Sequence, residues 1–492
     1  NGFGVLENLN IPGLIIDAKS NQVDVMGLQA TLYLNGQECD IREIQMLRPR
    51  DIEKIEYHDA PSGKYAKDKL VVNFITKQYR YGGYVQADGL QTIGYDHGDY
   101  NVATNYVKGN NSYTVFAGAN YSHVDGTETW NNENYQFPQS LFDRESYSKN
   151  SYRNHQEYMQ FRYQNQKGKR YWVGKFTLVN LSTPRNASSG FARESTETDI
   201  FSNIRKKSLS PKIDLNANLP LSKNQTLTLG VHGKYSANSY HRLYQEQPFE
   251  AMTDEDEKAL SFQLSAIYNY FSQKHSLSVE LFHYHDVWNA DYSGNCELWQ
   301  HLWKGESLAF FSYNFQASRR LSLKTRIGLD WLQYHLHGDN SFSQLSPRIN
   351  TNVQYQLNKG MLLWSFNFVN SNHGMDVINR AMIQVNSHMM EKGMPELKKS
   401  HDINTYLYYM GRFNRLSVSA IGQFRYNHHP VTDDYYLDEA NGKIVKTYSN
   451  GGNAQYYSAI LALQYKLCKF ANLSGDIRYN HAEVKTTWSK HN

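Results

Sequence analysis

Leu321-Ser322-Leu323-Lys324-Thr325-Arg326-Ile327-Gly328-Leu329-Asp330-Trp331 is the stretch on which the fold turns. Leu321, Leu323, Ile327, Leu329 and Trp331 share one parity; Ser322, Lys324, Arg326, Gly328 and Asp330 share the other. That is the two-residue period of a strand, not the 3.6-residue period of a helix. The same rhythm returns in Leu260 to Tyr268, Leu416 to Tyr426, Tyr457 to Tyr465 and Ala471 to Tyr479. Alternation by itself fits either a soluble sandwich with one wet face or a membrane barrel.

The connections separate these readings. Short polar turns fall near Asn110, Lys167-Gly168, Lys223, Lys274, Arg319-Arg320, Lys359-Gly360, Asn414 and Lys469, spaced by roughly 40 to 60 residues, as when pairs of long strands meet in tight turns at one end only. Between them, residues 125–154, 182–210, 236–257, 371–400 and 427–453 are polar and read as long loops at the other end. A sandwich has no reason to keep all its tight turns on one side. Alternating runs of about 10 to 14 residues also exceed the usual soluble strand. Tyr284 and Trp288, Trp331 and Tyr334, and Tyr406, Tyr408 and Tyr409 cluster toward strand ends, where amphipathic rings suit headgroup depth.

One leading strand plus two per turn gives about 17 strands. An odd antiparallel sheet brings its first and last strands parallel, and plugged transporters have 22 strands. The expectation is therefore an all-β, antiparallel membrane barrel, incomplete at the C-terminus, with Thr486 to Asn492 on the loop side.

Composition agrees. The 492 residues include 38 Tyr, 22 Phe and 8 Trp, too aromatic for a disordered chain. Mean hydropathy is −0.68, and no run approaches the 18 apolar residues of a spanning helix. Barrel strands avoid that requirement by spreading apolar residues over alternate positions. With 51 Lys+Arg against 47 Asp+Glu, the chain lacks the positive excess of a nucleic-acid binder, so no nucleic-acid partner is expected. Cys39, Cys296 and Cys468 are too far apart for a zinc pair or a disulfide framework. The start at Asn1 shows no signal peptide, so an export signal is expected outside this sequence.

Residues 1–77 read differently. An apolar Leu6 to Leu9 segment leads to Ile11-Pro12-Gly13-Leu14, then to the hairpin Leu32-Tyr33-Leu34-Asn35-Gly36-Gln37, a short helix Ile41 to Leu47, and Asp51-Ile52-Glu53-Lys54-Ile55-Glu56. Pro61-Ser62-Gly63-Lys64-Tyr65 and the strand Leu70 to Lys77 close the unit. These ordered pieces resemble the plug domain of TonB-dependent outer-membrane receptors, particularly Bacteroidetes-like members. Gly393-Met394-Pro395-Glu396-Leu397-Lys398-Lys399-Ser400 is similar to a segment such barrels carry before a long strand.

The resemblance implies a partial plug over 1–77 and a barrel over 78–492, placed in the cell outer membrane among its lipid. It implies import of a scarce small solute, an iron chelate, peptide or glycan. A TonB-like energy-coupling protein would pull on a segment upstream of this sequence. It also implies plug-gating roles for Arg48, Arg50, Glu53 and Glu56, which would meet the lumen-facing Lys324, Arg326, Asp330, Arg425, Asp476 and Arg478. Trp130, Tyr135, Trp299, Tyr435 and Tyr436 are the candidate ligand-binding residues of the loops, since aromatic rings stack on flat ligands and long loops carry specificity. Trp288 and Trp303 suit a girdle or loop packing better.

His283 with His285, His335 with His337, and His428-His429 beside Asp433 and Asp434 lack an identifiable third ligand. They are read as rim or lumen-facing polar residues, with no metal or other cofactor expected. No Gly-X-Ser-X-Gly or His-Glu-X-X-His is present, which speaks against an enzyme. A non-transporting structural or adhesive barrel is the alternative function.

Overall fold

A computed structural model describes residues 2–8, 14–17, 22–25, 28–39, 41–58, 70–77, 79–138, 140–339, 341–371, 374–468, 471–486 and 490–491. Seventeen long strands, from Tyr81–Thr92 to Ala471–Lys485, form one antiparallel sheet in which each pairs with its neighbour in sequence. The first and last of them run the same way. Two residues beyond the last, Lys490–His491, pair with Val484 and Lys485.

Alternation has the expected sense. On the strand Leu321–Leu336, Ile327, Leu329 and Trp331 are about half exposed on the outside, whereas Arg326 is 9% and Asp330 0% exposed on the inside. The strand Phe249–Phe271 repeats this with Leu260 and Leu264 out and Ala259 and Ile267 in. Its outward apolar run from Leu260 to Tyr270 matches the 9 to 11 residues that cross a bilayer.

The seven expected turns with described residues fall at one end, where the sequence placed them, but the opposite end also has short connections, at residues 93–95, 194–196 and 247–248. The eighth, at Lys469, is outside the described residues. The opposite end departs from expectation. Residues 125–154, 182–210 and 236–257 are not loops but continuations of strands that reach 28 residues in Ser140–Lys167. Asn, Ser, Thr and charged side chains occupy both faces there, so the apolar alternation that marks a strand in lipid disappears while the backbone ladder continues. Gly126, at φ 80°, takes up the register shift between Asp125 and Thr127 where one such ladder leaves the apolar band.

Only the two remaining polar stretches carry insertions. Met382–Gln384 and Met389–Lys392 come from one, Thr432–Asp438 and Lys443–Ser449 from the other. They form a single four-stranded sheet, joined by parallel pairing of Met389 to Glu391 with Ile444 to Lys446.

The N-terminal unit has a helix Gly2–Asn8, a helix Ile41–Gln45 and two small sheets. The Asn35-Gly36 turn has φ 52° and 78°, the left-handed pair a two-residue hairpin requires. Asn35 Oδ1 accepts from the Thr76 amide at 2.9 Å, and Asn73 Oδ1 accepts from the Gly36 amide at 2.9 Å, so the hairpin is fastened to the strand Val71–Thr76. The Ile11-Pro12-Gly13 and Pro61-Ser62-Gly63-Lys64-Tyr65 motifs lie outside the described residues.

Candidate functional site: the plug seat and the covered mouth

The N-terminal unit sits against the inner wall, and its two sides are held by different chemistry. Phe3, Leu6, Ile44, Leu47, Val72 and Phe74 form one buried apolar cluster that continues into the barrel through Leu363 and Tyr408, with Met361, Tyr406 and Ile421 packed alongside. This side resists separation because apolar area returns to water at about 25 cal/mol per Å2.

The other side is mixed: Met46 packs with Ala103, Phe116 and Tyr158 of the wall, and polar contacts surround it. Arg42 Nη2 donates to Gln156 Oε1 at 2.8 Å, and Arg42 stands over the Tyr158 ring at 5.4 Å. Arg162 lies 3.9 Å from Glu43 and donates to the Leu34 carbonyl at 3.3 Å. Lys175 Nζ donates to the Glu38 carbonyl at 2.8 Å. Hydrogen bonds to charged groups contribute about 1.5 to 3 kcal/mol each, and they can be opened one at a time.

The expected gating residues occupy other places. Arg48 holds Asp51 within the plug at 2.6 Å and lies 3.6 Å above the Tyr84 ring of the first barrel strand, so its barrel contact is a cation–π contact, not an ion pair. Asp51 also accepts from the Tyr79 hydroxyl at 3.0 Å. Glu56 takes Lys54 at 2.6 Å and the Asn73 amide at 2.9 Å, both within the plug. Arg50 and Glu53 are exposed. Arg48 and Arg50, with Asp51, Tyr84, Asn105 and Arg162, line a cavity of about 720 Å3 between the plug and the first barrel strands.

The lumen-facing charges pair with the wall, not with those four plug residues. Arg326 meets Glu280 at 2.8 Å; Asp330 takes Arg348 at 2.6 Å and Lys399 at 3.1 Å; Arg425 pairs with Asp402, and Arg478 with Asp476. A charged side chain pointing into the lumen has near neighbours on adjacent strands, whereas the plug touches only part of the wall.

At the mouth, the insertion sheet is fastened to the long hairpins. Arg144, 5% exposed, meets Glu246 at 2.9 Å, Glu194 at 3.1 Å, the Tyr244 hydroxyl at 3.0 Å and His388 Nδ1 of the insertion at 3.2 Å. Arg242 donates to the Gln384 carbonyl at 2.9 Å. Tyr135 and Tyr435, both candidate ligand residues, come together across this contact with ring centroids 5.4 Å apart. Burial, with Glu133 and Tyr435 nearby, pushes the Tyr135 phenol up to about 12, so at neutral pH it stays a hydrogen-bond donor. Tyr436 is exposed on the same sheet.

Trp130 and Trp299 are not brought to this mouth. Trp130 stacks beside Tyr147 at 4.5 Å, on the face opposite the inward Arg144, and Trp299 lies against His337 at 5.0 Å, on the face opposite the buried Gln300 and Leu302. Both stand on the outer surface, because parity along a strand, which a loop reading cannot supply, decides the face. The same parity corrects the reading of His283 and His285. They share a face with the exposed Val279 and Leu281, and pack on Phe262 and Trp303 outside the barrel. His429 Nδ1 lies 2.7 Å from the Asn450 carbonyl, a structural contact between insertion and wall. Among the described residues no group of three His, Cys, Asp or Glu could hold a metal.

Insertion docking is expected to weaken on acidification. Burial and the Arg144 charge hold His388 below the usual histidine range. Burial raises Glu246, but the Arg144 hydrogen bond and charge outweigh it and leave the carboxyl below the usual glutamate range. A base with a lowered value opposes docking as pH falls through its ordinary range, near about 6.5. Limited proteolysis across residues 374–399 should therefore accelerate as pH falls from about 8 to about 5. His388→Gln should remove this acceleration. A pH-independent cleavage rate contradicts this.

A sheet wrapped into a transmembrane wall, filled by a folded N-terminal unit and covered by insertions at one end, is the plug-in-barrel fold of TonB-dependent outer-membrane receptors. Among solved structures it is similar to the copper transporter OprC, with a TM-score of 0.61, 11% identity, and coverage of 96% of this chain and 75% of that one. The pyoverdine outer membrane receptor FpvA from Pseudomonas aeruginosa gives 0.62 at 11% identity, covering 97% and 74%. BauA, the ferric preacinetobactin receptor from Acinetobacter baumannii, gives 0.57 at 8% identity, covering 97% and 74%. No protein-family model matches the chain, and no curated protein matches it by sequence.

Proposed function

We propose that this chain is a TonB-dependent-type outer-membrane receptor that imports a small scarce solute. The observation that carries this reading is the unequal plug seat: a large apolar cluster anchors one side, while the side facing Gln156, Arg162 and Lys175 is held mainly by polar contacts and a smaller cluster around Met46, next to a cavity of about 720 Å3. A pull on the N-terminal unit breaks the weaker side first and joins that cavity to the lumen. Arg48 and Arg50, on the cavity wall, would guide the solute, and Tyr135, Tyr435 and Tyr436 would meet it at the mouth.

Energy would come from a TonB-like protein acting on a segment upstream of this sequence. Named receptors of similar fold act on copper, pyoverdine and ferric preacinetobactin, which supports a metal chelate over a peptide or glycan. The test is uptake by cells expressing the full-length protein, using ferric hydroxamate, ferric catecholate, cupric ion, a short peptide and an oligosaccharide as labelled probes. One probe should accumulate, and dissipating the proton gradient should stop accumulation without stopping surface binding. Accumulation of none, or accumulation indifferent to the gradient, contradicts the proposal.

A further inference from the structure

We propose that the turn-side rim of the barrel is a binding surface for the anionic headgroups of the phospholipid leaflet it faces. Each of the seven turns of this rim with described residues carries an exposed cation: Lys108, Lys169, Lys223 and Lys274 around one half, Arg320, Lys359 and Arg415 around the other. No Asp or Glu occupies these turns or the strand ends that flank them. The nearest in sequence, Glu280, is fully buried on the lumen side against Arg326.

Composition does not produce this ring, since the whole chain is close to balance, with 51 basic and 47 acidic residues. Placement does. At the hairpin end some exposed cations have acids beside them, as Arg193 has Glu197 at 2.7 Å and Glu145 at 3.9 Å. At the rim the contacts are with neutral groups: Arg320 donates to Asn358 Oδ1 at 2.9 Å, and Arg415 to the Leu467 carbonyl at 3.3 Å.

Depth supplies the ligand class. Tyr106, Trp172, Phe271, Tyr355 and Tyr465 stand exposed on the outer face within a few residues of these cations, and Arg170 lies 5.7 Å from the Trp172 ring. Outward aromatics mark headgroup level. At roughly 3.3 Å per strand residue, the ammonium and guanidinium groups fall about 5 to 15 Å beyond the rings, within reach of lipid phosphates. Long basic side chains meet them while their stems stay on apolar surface. The attraction is electrostatic, so it selects anionic over zwitterionic headgroups and is screened by salt.

The test uses the full chain in bilayers of phosphatidylcholine mixed with brominated phosphatidylglycerol or brominated phosphatidylcholine, with tryptophan quenching reporting which lipid contacts the wall. Phosphatidylglycerol should be preferred by about fivefold or more, the effect of one or more surface cations, and the preference should collapse in high salt. Replacing Lys167, Lys169, Arg170, Arg319 and Arg320 by Gln should lower the ratio, whereas Lys149→Gln with Arg193→Gln at the hairpin end should leave it unchanged. Equal quenching by both lipids in the unaltered chain overturns the proposal even if the rim variant does not fold. So does a preference that the hairpin-end variant loses and the rim variant keeps. An unselective wall whose rim captures a soluble polyanion also overturns it, by assigning the cations to a partner in solution.

Discussion

Asp330→Leu is expected to destabilise the barrel by about 3 to 5 kcal/mol, the usual consequence of removing one partner of a buried ion pair. Asp330 is fully buried and receives both Arg348 and Lys399, and Arg348 reaches on to Glu306 at 3.2 Å. Its loss leaves Lys399, with a side chain only 1% exposed, without its carboxylate. Lys399 ends the segment that carries the first insertion, and Leu397 beside it is packed against Leu302 and Leu336. Unfolding in urea, with proteolysis across residues 374–399, reports both effects. Adding Lys399→Met should recover part of the loss by removing the stranded charge. A single variant within about 1 kcal/mol of the parent would show that this network is not what holds the insertion down.

Phe74→Ala is expected to cost about 3 to 5 kcal/mol, as large-to-small changes at fully buried aromatics do, and to cost it in the plug alone. Phe74 is 0% exposed at the centre of the cluster that joins Ile44, Leu47 and Val72 to the barrel residues Leu363 and Tyr408. A unit of this size is marginal by itself, so much of its order comes from the wall it packs against. Trypsin should then cut within residues 1–77 while the barrel keeps the resistance to detergent of the unaltered chain. Cleavage spread equally over both would contradict separate stabilisation of the two parts.

What the sequence made legible follows from where water and lipid differ. On Leu321–Leu336 one face is apolar and the other charged, so strand, facing and environment are all written in parity. The tight turns were legible for the same reason: they are polar interruptions of a lipid-facing pattern. Above the lipid the contrast vanishes, and residues 125–154 read as loop although they continue a ladder. Which residues join plug and wall is not legible in the sequence. Arg42 and Gln156 are far apart in sequence and neither belongs to a distinctive motif. A signal did exist in Arg162, a cation on a lumen-facing position between Tyr158 and Gln166, which needs a partner somewhere inside. The segment Leu397 to Ser400 was recognised only by its resemblance, and its physical use is the buried Lys399 and the seat for Leu397. Tyr135 and Tyr435 were both singled out, but their meeting depends on an insertion sheet that no local pattern announces.

Single-barrel conductance in a planar bilayer tests most directly whether the plug closes the lumen and is released from its polar side. The unaltered chain should carry no steady current, and Arg42→Ala combined with Arg162→Ala should open intermittent conductance, because both changes fall on the separable contacts. Steady current through the unaltered barrel, or a double variant as tight as its parent while Phe74→Ala alone leaks, would place the gate elsewhere.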